Sequence, residues 1–155
     1  MSDSEWQAKV AGAGCVLCAP RPDSNAEWDL VTRLSISSLY LARNQTYRGQ
    51  CVLIFDPRHA ARPDELSAEE WAALSADLHR ASRAVVRAAK PDHVNVASLG
   101  NVAPHLHWHV IPRRIGDPRW GAPVWTTLGT DMPDTRLPET ERAALLASLR
   151  ESLVP

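Results

Sequence analysis

Apolar and polar positions change period several times along the chain, and each change marks an element. From 29 to 43, Val31, Leu34, Ile36, Leu39 and Leu41 recur at short period, which predicts strands with a turn near Ser37 and Ser38. The unbroken run Cys51-Val52-Leu53-Ile54-Phe55 stops at Asp56-Pro57 and predicts a buried strand. After Pro63, Ser67 and Glu70 stand three apart, the spacing at which a hydroxyl and a carboxylate each satisfy the other's free amide at a helix start. Trp71, Leu74, Leu78, Ala81 and Val85 then recur at helical spacing as far as Lys90, with Pro91 beyond. That predicts an amphipathic helix of about six turns at ~3.6 residues each, lying over a sheet. Residues 93–97 and 105–111 have strand composition and flank a glycine-containing loop, 98–104. Segment 12–25 is expected to be an irregular arm and 112–138, rich in proline and glycine, an extended coil. A last helix, 139–153, places Leu145, Leu146, Leu149 and Leu153 on one side. Two helices on a mainly antiparallel sheet of about five strands make an α+β domain.

Composition narrows the partners. A chain of 155 residues fits one domain, 1–155. Its 17 basic and 18 acidic side chains nearly cancel, so no global field draws it onto nucleic acid or a membrane, while a small anion at a local site stays open. No run of about 18 apolar residues is present to span a bilayer. Met1-Ser2-Asp3-Ser4-Glu5 lacks the basic start and apolar stretch of a secretion signal, so the cytoplasm is the expected location. Cys15 and Cys18 stand as C-x-x-C, which in that setting points to metal or redox chemistry before a disulfide; Cys51 belongs to the core. Trp71 and Trp108 fall on expected core faces. Trp120 and Trp125 either anchor on the core or surface or cap a base by stacking.

The most informative stretch is His105-Leu106-His107-Trp108-His109-Val110-Ile111. Alternate residues of a strand share a face at roughly 6.5–7 Å, so three imidazoles point one way and Leu106, Trp108 and Val110 point into a core. Imidazole changes charge near neutral pH, so such a row can offer a nucleophile, an acid and a phosphate contact side by side. H-x-H on a strand also suits zinc. A hydrolytic zinc site usually adds carboxylates, and none lies close in sequence, although distant ones such as Asp56 stay open. There is no G-x-x-x-x-G-K-[ST] element for a P-loop.

With those residues in place, the chain resembles the histidine triad (HIT) nucleotide-binding and hydrolase family, whose signature alternates His and apolar residues over seven positions. Residues 105–111 match it in full, and the wording from Ala97 to Ile111 is similar to a bacterial branch. The resemblance covers about 15–113, leaving a C-terminal extension with the helix 139–153. Asn44, ahead of Gly49, resembles the ribose-side region; Pro57-Arg58-His59 resembles a Pro-basic-basic-His element with one residue missing; Asn95 and Gly100-Asn101 precede the triad at nearly the family spacing. The resemblance implies that His107 attacks the α-phosphate of a nucleotide, forming a nucleotidyl-histidine, while His109 contacts phosphate oxygens or the leaving group. It implies that Asn44, Asn95, Gly100 and Asn101 line the nucleotide site. Val102 departs from the pattern, because Ser or Thr often stands there, and a hydroxyl contact is lost.

The same resemblance implies a structural zinc, as in some family members and the related galactose-1-phosphate uridylyltransferases, held by Cys15, Cys18, His59 and His105. The alternative is a pair of free thiols, with His59 and His105 in a hydrogen-bond relay behind His107. By resemblance the protein is a homodimeric hydrolase or nucleotidyl transferase with no organic cofactor. Its substrate would be a purine nucleotide, a dinucleoside polyphosphate or a nucleoside phosphoramidate. Two rivals remain: a nucleotide-binding regulatory module with little turnover, and a zinc-dependent hydrolase using all three histidines as ligands.

Overall fold

The computed structural model describes residues 1–125 and 133–154. Helix α1 (Asp3–Val10) leads to strands β1 (Trp28–Arg33), β2 (Ser37–Ala42) and β3 (Cys51–Phe55). Helix α2 (Ala68–Ala89) follows, then β4 (His93–Ala97), β5 (His107–Arg113) and helix α3 (Glu139–Leu153). The five strands form one sheet in the order β1-β2-β3-β5-β4, every neighbouring pair antiparallel. No helix among the described residues is long and apolar enough to cross a membrane.

Directly opposed residues share a face of a sheet, so the register separates two surfaces. Leu39, Leu53 and Trp108 stand abreast on one, beside Leu41, Cys51 and Val110. That face is the main core, closed by Leu74, Ala81 and Val85 of α2 and by Leu145 and Leu149 of α3. The other face carries Tyr40, Val52, His109 and Ala97 in one row, with Ile54 opposite His107 and Asn95 opposite Ile111. Leu17 of the N-terminal arm covers one end of it with Leu30, Tyr40 and Ile54, while Tyr47, Ile111 and Val124 cluster elsewhere. The histidines are therefore on the face that the long helices leave open.

Several local expectations need correction. The β1–β2 turn occupies residues 34–36, not Ser37 and Ser38, which begin β2. Its cause lies far away in sequence: the buried Asp77 carboxylate on α2 accepts from the Ser35 and Ile36 amides (3.2 and 3.0 Å) and the Ser35 and Ser37 hydroxyls (2.9 and 2.8 Å). Among the described residues there are three α-helices rather than two. The extra one, α1, opens on a capping box between Ser2 and Glu5, the same signature that marks α2 at Ser67 and Glu70. Trp71 is 45% exposed instead of buried: it sits in the first turn of α2, with its ring 6.3 Å from that of Trp108 on the sheet. Strand β5 starts at His107 rather than His105 and runs through Pro112 and Arg113, which were expected in coil. The rest of that expected coil includes residues 126–132, which lie outside the described residues. Gly49 fixes the approach of the β2–β3 turn to α2: its φ is +95°, and a Cβ there would lie 2.5 Å from the Ala89 Cβ.

Candidate functional site

The three histidines do not have equivalent surroundings. His107 and His109 project from β5 side by side, with ring centroids 5.2 Å apart. The His107 Nδ1–H donates to the His105 carbonyl at 2.6 Å. That fixes the tautomer and leaves the Nε2 lone pair as the reactive position, on a ring that is half-buried. His109 is packed edge-on against Trp125 (4.8 Å between rings), and its buried Nδ1 has no partner among the described residues. Burial, with a smaller contribution from neighbouring His107, pushes its pKa down to about 4, so the ring is neutral at physiological pH.

His105 is 2% exposed and looks elsewhere. Its Nε2–H donates to the Phe55 carbonyl (2.7 Å), so its Nδ1 lone pair faces Cys15 Sγ (3.5 Å) and Cys18 Sγ (3.4 Å). His59 is built the same way. Its Nε2–H donates to the Val10 carbonyl in the last turn of α1 (3.0 Å), and its Nδ1 faces Cys18 Sγ (3.4 Å). The four donor atoms of Cys15, Cys18, His59 and His105 all lie within 4.8 Å of one another.

This donor set suits zinc. Bonds of about 2.3 Å to sulfur and about 2.0 Å to nitrogen give tetrahedral edges of roughly 3.6 Å, close to the sulfur–nitrogen separations found. Both imidazoles have their far nitrogen held by a carbonyl, the arrangement that aims a lone pair at a metal. One His105 lone pair faces two sulfurs at once, and so points between them, where a cation would sit. Partial burial and the adjacent Cys15 push the Cys18 thiol up to about 11, a cost that a cation among the ligands removes. His107 and His109 are outside the cluster, which disfavours a zinc centre made from all three triad histidines.

A family model, the HIT domain, matches residues 33–116, more than half of the chain. The chain belongs to the HIT domain family. Solved structures agree. The HIT chain is 27% identical to a histidine triad protein from Bradyrhizobium japonicum, with a TM-score of 0.74 over 87% of this chain and 100% of that one. It is also 27% identical to a histidine triad protein from Marinobacter aquaeolei VT8, with a TM-score of 0.73 over 83% and 90% of the two chains. A histidine triad family protein from Mycobacterium smegmatis, described as Zn-bound, shares the fold at 22% identity and a TM-score of 0.53, over 96% and 91%. No curated protein matches the sequence significantly.

The remaining site candidates of this HIT domain fall in two places. Gly100 (φ +69°) and Asn101 lie in the loop between β4 and β5, and the amides of Gly100, Asn101 and Val102 have no acceptor among the described residues. Val102 is 79% exposed. Asn95 shares the His109 face of the sheet, two residues along β4 from Ala97, and its Oδ1 accepts from Arg113 (2.6 Å). Asn44 lies past the end of β2, donating to the Pro133 carbonyl (3.0 Å) and accepting from Thr46 (2.8 Å). Beside His109, Asn95, Asn101, Ile111, Trp120 and Trp125 line a cavity of about 1100 Å³ along β4, one of the two edge strands of the sheet. Sequence reasoning missed the device that carries its wall. Buried Arg113 pairs with Asp117 (2.7 Å) and donates to the Ala122 carbonyl (3.0 Å), holding the segment that puts Trp125 on His109. Only the four-residue spacing of Arg113 and Asp117 hinted at it.

Proposed function

We propose that this HIT domain is a nucleotide hydrolase or nucleotidyl transferase in which His107 is the nucleophile. The observation that carries the reading is the 2.6 Å bond from His107 Nδ1 to the His105 carbonyl, which leaves Nε2 available to attack. In the first displacement, Nε2 bonds to the α-phosphorus of a nucleotide as the bond to the leaving group breaks, the leaving group departing with the electron pair. In the second, water or another acceptor bonds to phosphorus and the phosphorus–nitrogen bond returns its pair to His107. The amides of Gly100 to Val102, which have no acceptor among the described residues, are suited to the phosphate oxygens as charge builds on them. Neutral His109, its ring 5.2 Å from that of His107, is proposed to contact the phosphate or the leaving group. The substrates proposed are a purine nucleotide, a dinucleoside polyphosphate or a nucleoside phosphoramidate, with Asn95 and Asn101 on the phosphate side and Asn44 toward the ribose.

Zinc held by Cys15, Cys18, His59 and His105 belongs to the same reading, supported by the donor geometry; bound there, it ties the N-terminal arm to the sheet. Purified protein is expected to carry close to one zinc per chain by elemental analysis, and a metal-free native protein would remove this part. A homodimer is proposed through β4, whose outer edge pairs with no strand among the described residues and which carries exposed Val96 next to Leu99 and Trp120.

Trapping tests the chemistry. Incubation with a labelled nucleotide and an alkaline quench, which spares acid-labile phosphoramidates, is expected to leave a nucleotidyl adduct on His107 by mass spectrometry. His107→Ala is expected to bind nucleotide with no adduct and no turnover. Substantial turnover by that variant would sink the covalent route. Binding without turnover by the wild type across a broad panel would favour a regulatory module.

A further inference from the structure

One peptide unit links the thiol–imidazole cluster to the nucleophile. The His105 carbonyl and the Leu106 amide belong to the same planar group, so fixing one fixes the other. The carbonyl end accepts from His107 Nδ1 (2.6 Å), and the amide end donates to the Ala60 carbonyl (2.7 Å). Each end is one bond from a cluster member: His105 bears the carbonyl, and Ala60 directly follows His59. The rings of His59 and His105 stand 5.4 Å apart with both lone pairs aimed at the cysteine sulfurs. The backbone around them is tied down further, by His105 N–H to the Ala103 carbonyl (2.8 Å) and Phe55 N–H to the Leu106 carbonyl (3.0 Å).

We infer that Cys15, Cys18, His59 and His105 form a positioning device for His107: holding a metal clamps segments 59–60 and 105–106 together, and thereby sets the peptide plane that fixes the tautomer and direction of the nucleophilic imidazole. The inference rests on the reading of His107 as nucleophile for its catalytic consequence, but the coupling itself concerns only the fold. Cys15 and Cys18 then act on the reaction from a distance, through orientation, without touching substrate. Loss of the metal lets the plane rotate and frees His107 to exchange tautomers. Binding is spared, because the loop amides, Asn95 and Asn101 are not part of the clamp. The signature is a fall in kcat with little change in KM. Losses of outer ligand-orienting contacts of this sort cost roughly 10–100-fold.

The test uses the full chain with ¹⁵N-labelled histidine at constant mildly alkaline pH, read by long-range proton–nitrogen correlation spectra. Zinc-loaded protein is expected to hold His107 as a single Nδ1–H tautomer with a slowly exchanging proton. A Cys15→Ser and Cys18→Ser double variant is expected to lose that signal to a tautomer mixture, with kcat down at least about tenfold and KM within about twofold. Cys18→His, which returns a zinc ligand, is expected to restore both. If the double variant does not fold, cadmium replaces zinc in the wild type. Its longer bonds shift His105, and the His107 Nδ1–H resonance must shift with it. An unchanged His107 signal in folded, metal-free protein, or under cadmium, overturns the inference. That result together with a trapped His107 adduct leaves the nucleophile standing and removes only the coupling; an altered signal with no adduct does the reverse.

Discussion

Lowering pH tests whether the environment of His109 is what keeps it neutral. The ring titrates at about 4 in the native protein against an ordinary 6.5. At about pH 7.5 neither the native nor the unfolded ring carries a proton. At about pH 5 the unfolded ring has taken one and the native ring has not, so the unfolded state gains and stability falls. The loss opens below 6.5, is complete near 4, and by linkage reaches about 2 kcal/mol between pH 7.5 and pH 5. That figure is an upper bound, because the ring is half-buried and water screens it. Acid acts on other groups of the protein as well, so the assay compares urea unfolding of wild type and His109→Gln at both pH values. The neutral glutamine removes only this titration, and the wild type is expected to lose up to about 2 kcal/mol more than the variant. Equal losses in the two proteins, or a smaller loss in the wild type, would refute the claim that burial against Trp125 and His107 holds His109 neutral.

Two further predictions concern the scaffold and the assembly. Asp77→Ala leaves four donors at the β1–β2 turn without their acceptor and is expected to cost about 3 kcal/mol in urea unfolding, with Asp77→Asn milder because one carbonyl oxygen remains. Wild type is expected to scatter light as twice 17.1 kDa, and Val96→Lys, which puts a charge on the outer strand, as a folded monomer; a monomeric wild type would remove the β4 dimer.

The main elements were legible because their signals are local. The capping box at Ser67, the spacing of Leu74, Ala81 and Val85, and the left-handed stop at Lys90 before Pro91 are written within one segment, and α2 follows them. The run Cys51 to Phe55 likewise becomes β3 in full. Where the reading slipped, the cause is remote. Ser37 and Ser38 have turn-like composition, yet the turn falls earlier because Asp77, some forty residues on, captures the amides of Ser35 and Ile36. Helix α1 was the exception, since its Ser2 and Glu5 cap was present in the sequence and only its polar faces hid it.

The site divides along the same line. Strand alternation correctly set His107 and His109 beside one another opposite a Trp108 and Val110 core, because alternation is a property of the backbone alone. What a period of two cannot express is which partner captures each ring. His105 has the same spacing from His107 as His109 has, but Cys15 and Cys18 come from an arm some ninety residues away, and their sulfurs decide where its Nδ1 points. Nor can spacing reveal that the carbonyl of one histidine fixes the tautomer of the next, or that Trp125 packs edge-on against the third. Three identical side chains in one short motif thus acquire three settings: one with its far nitrogen on the Phe55 carbonyl and the other toward two sulfurs, one with Nδ1 on the His105 carbonyl, and one whose charge burial suppresses. The motif supplies the residues; the arm, the β3 end and the segment beyond β5 distribute the roles among them.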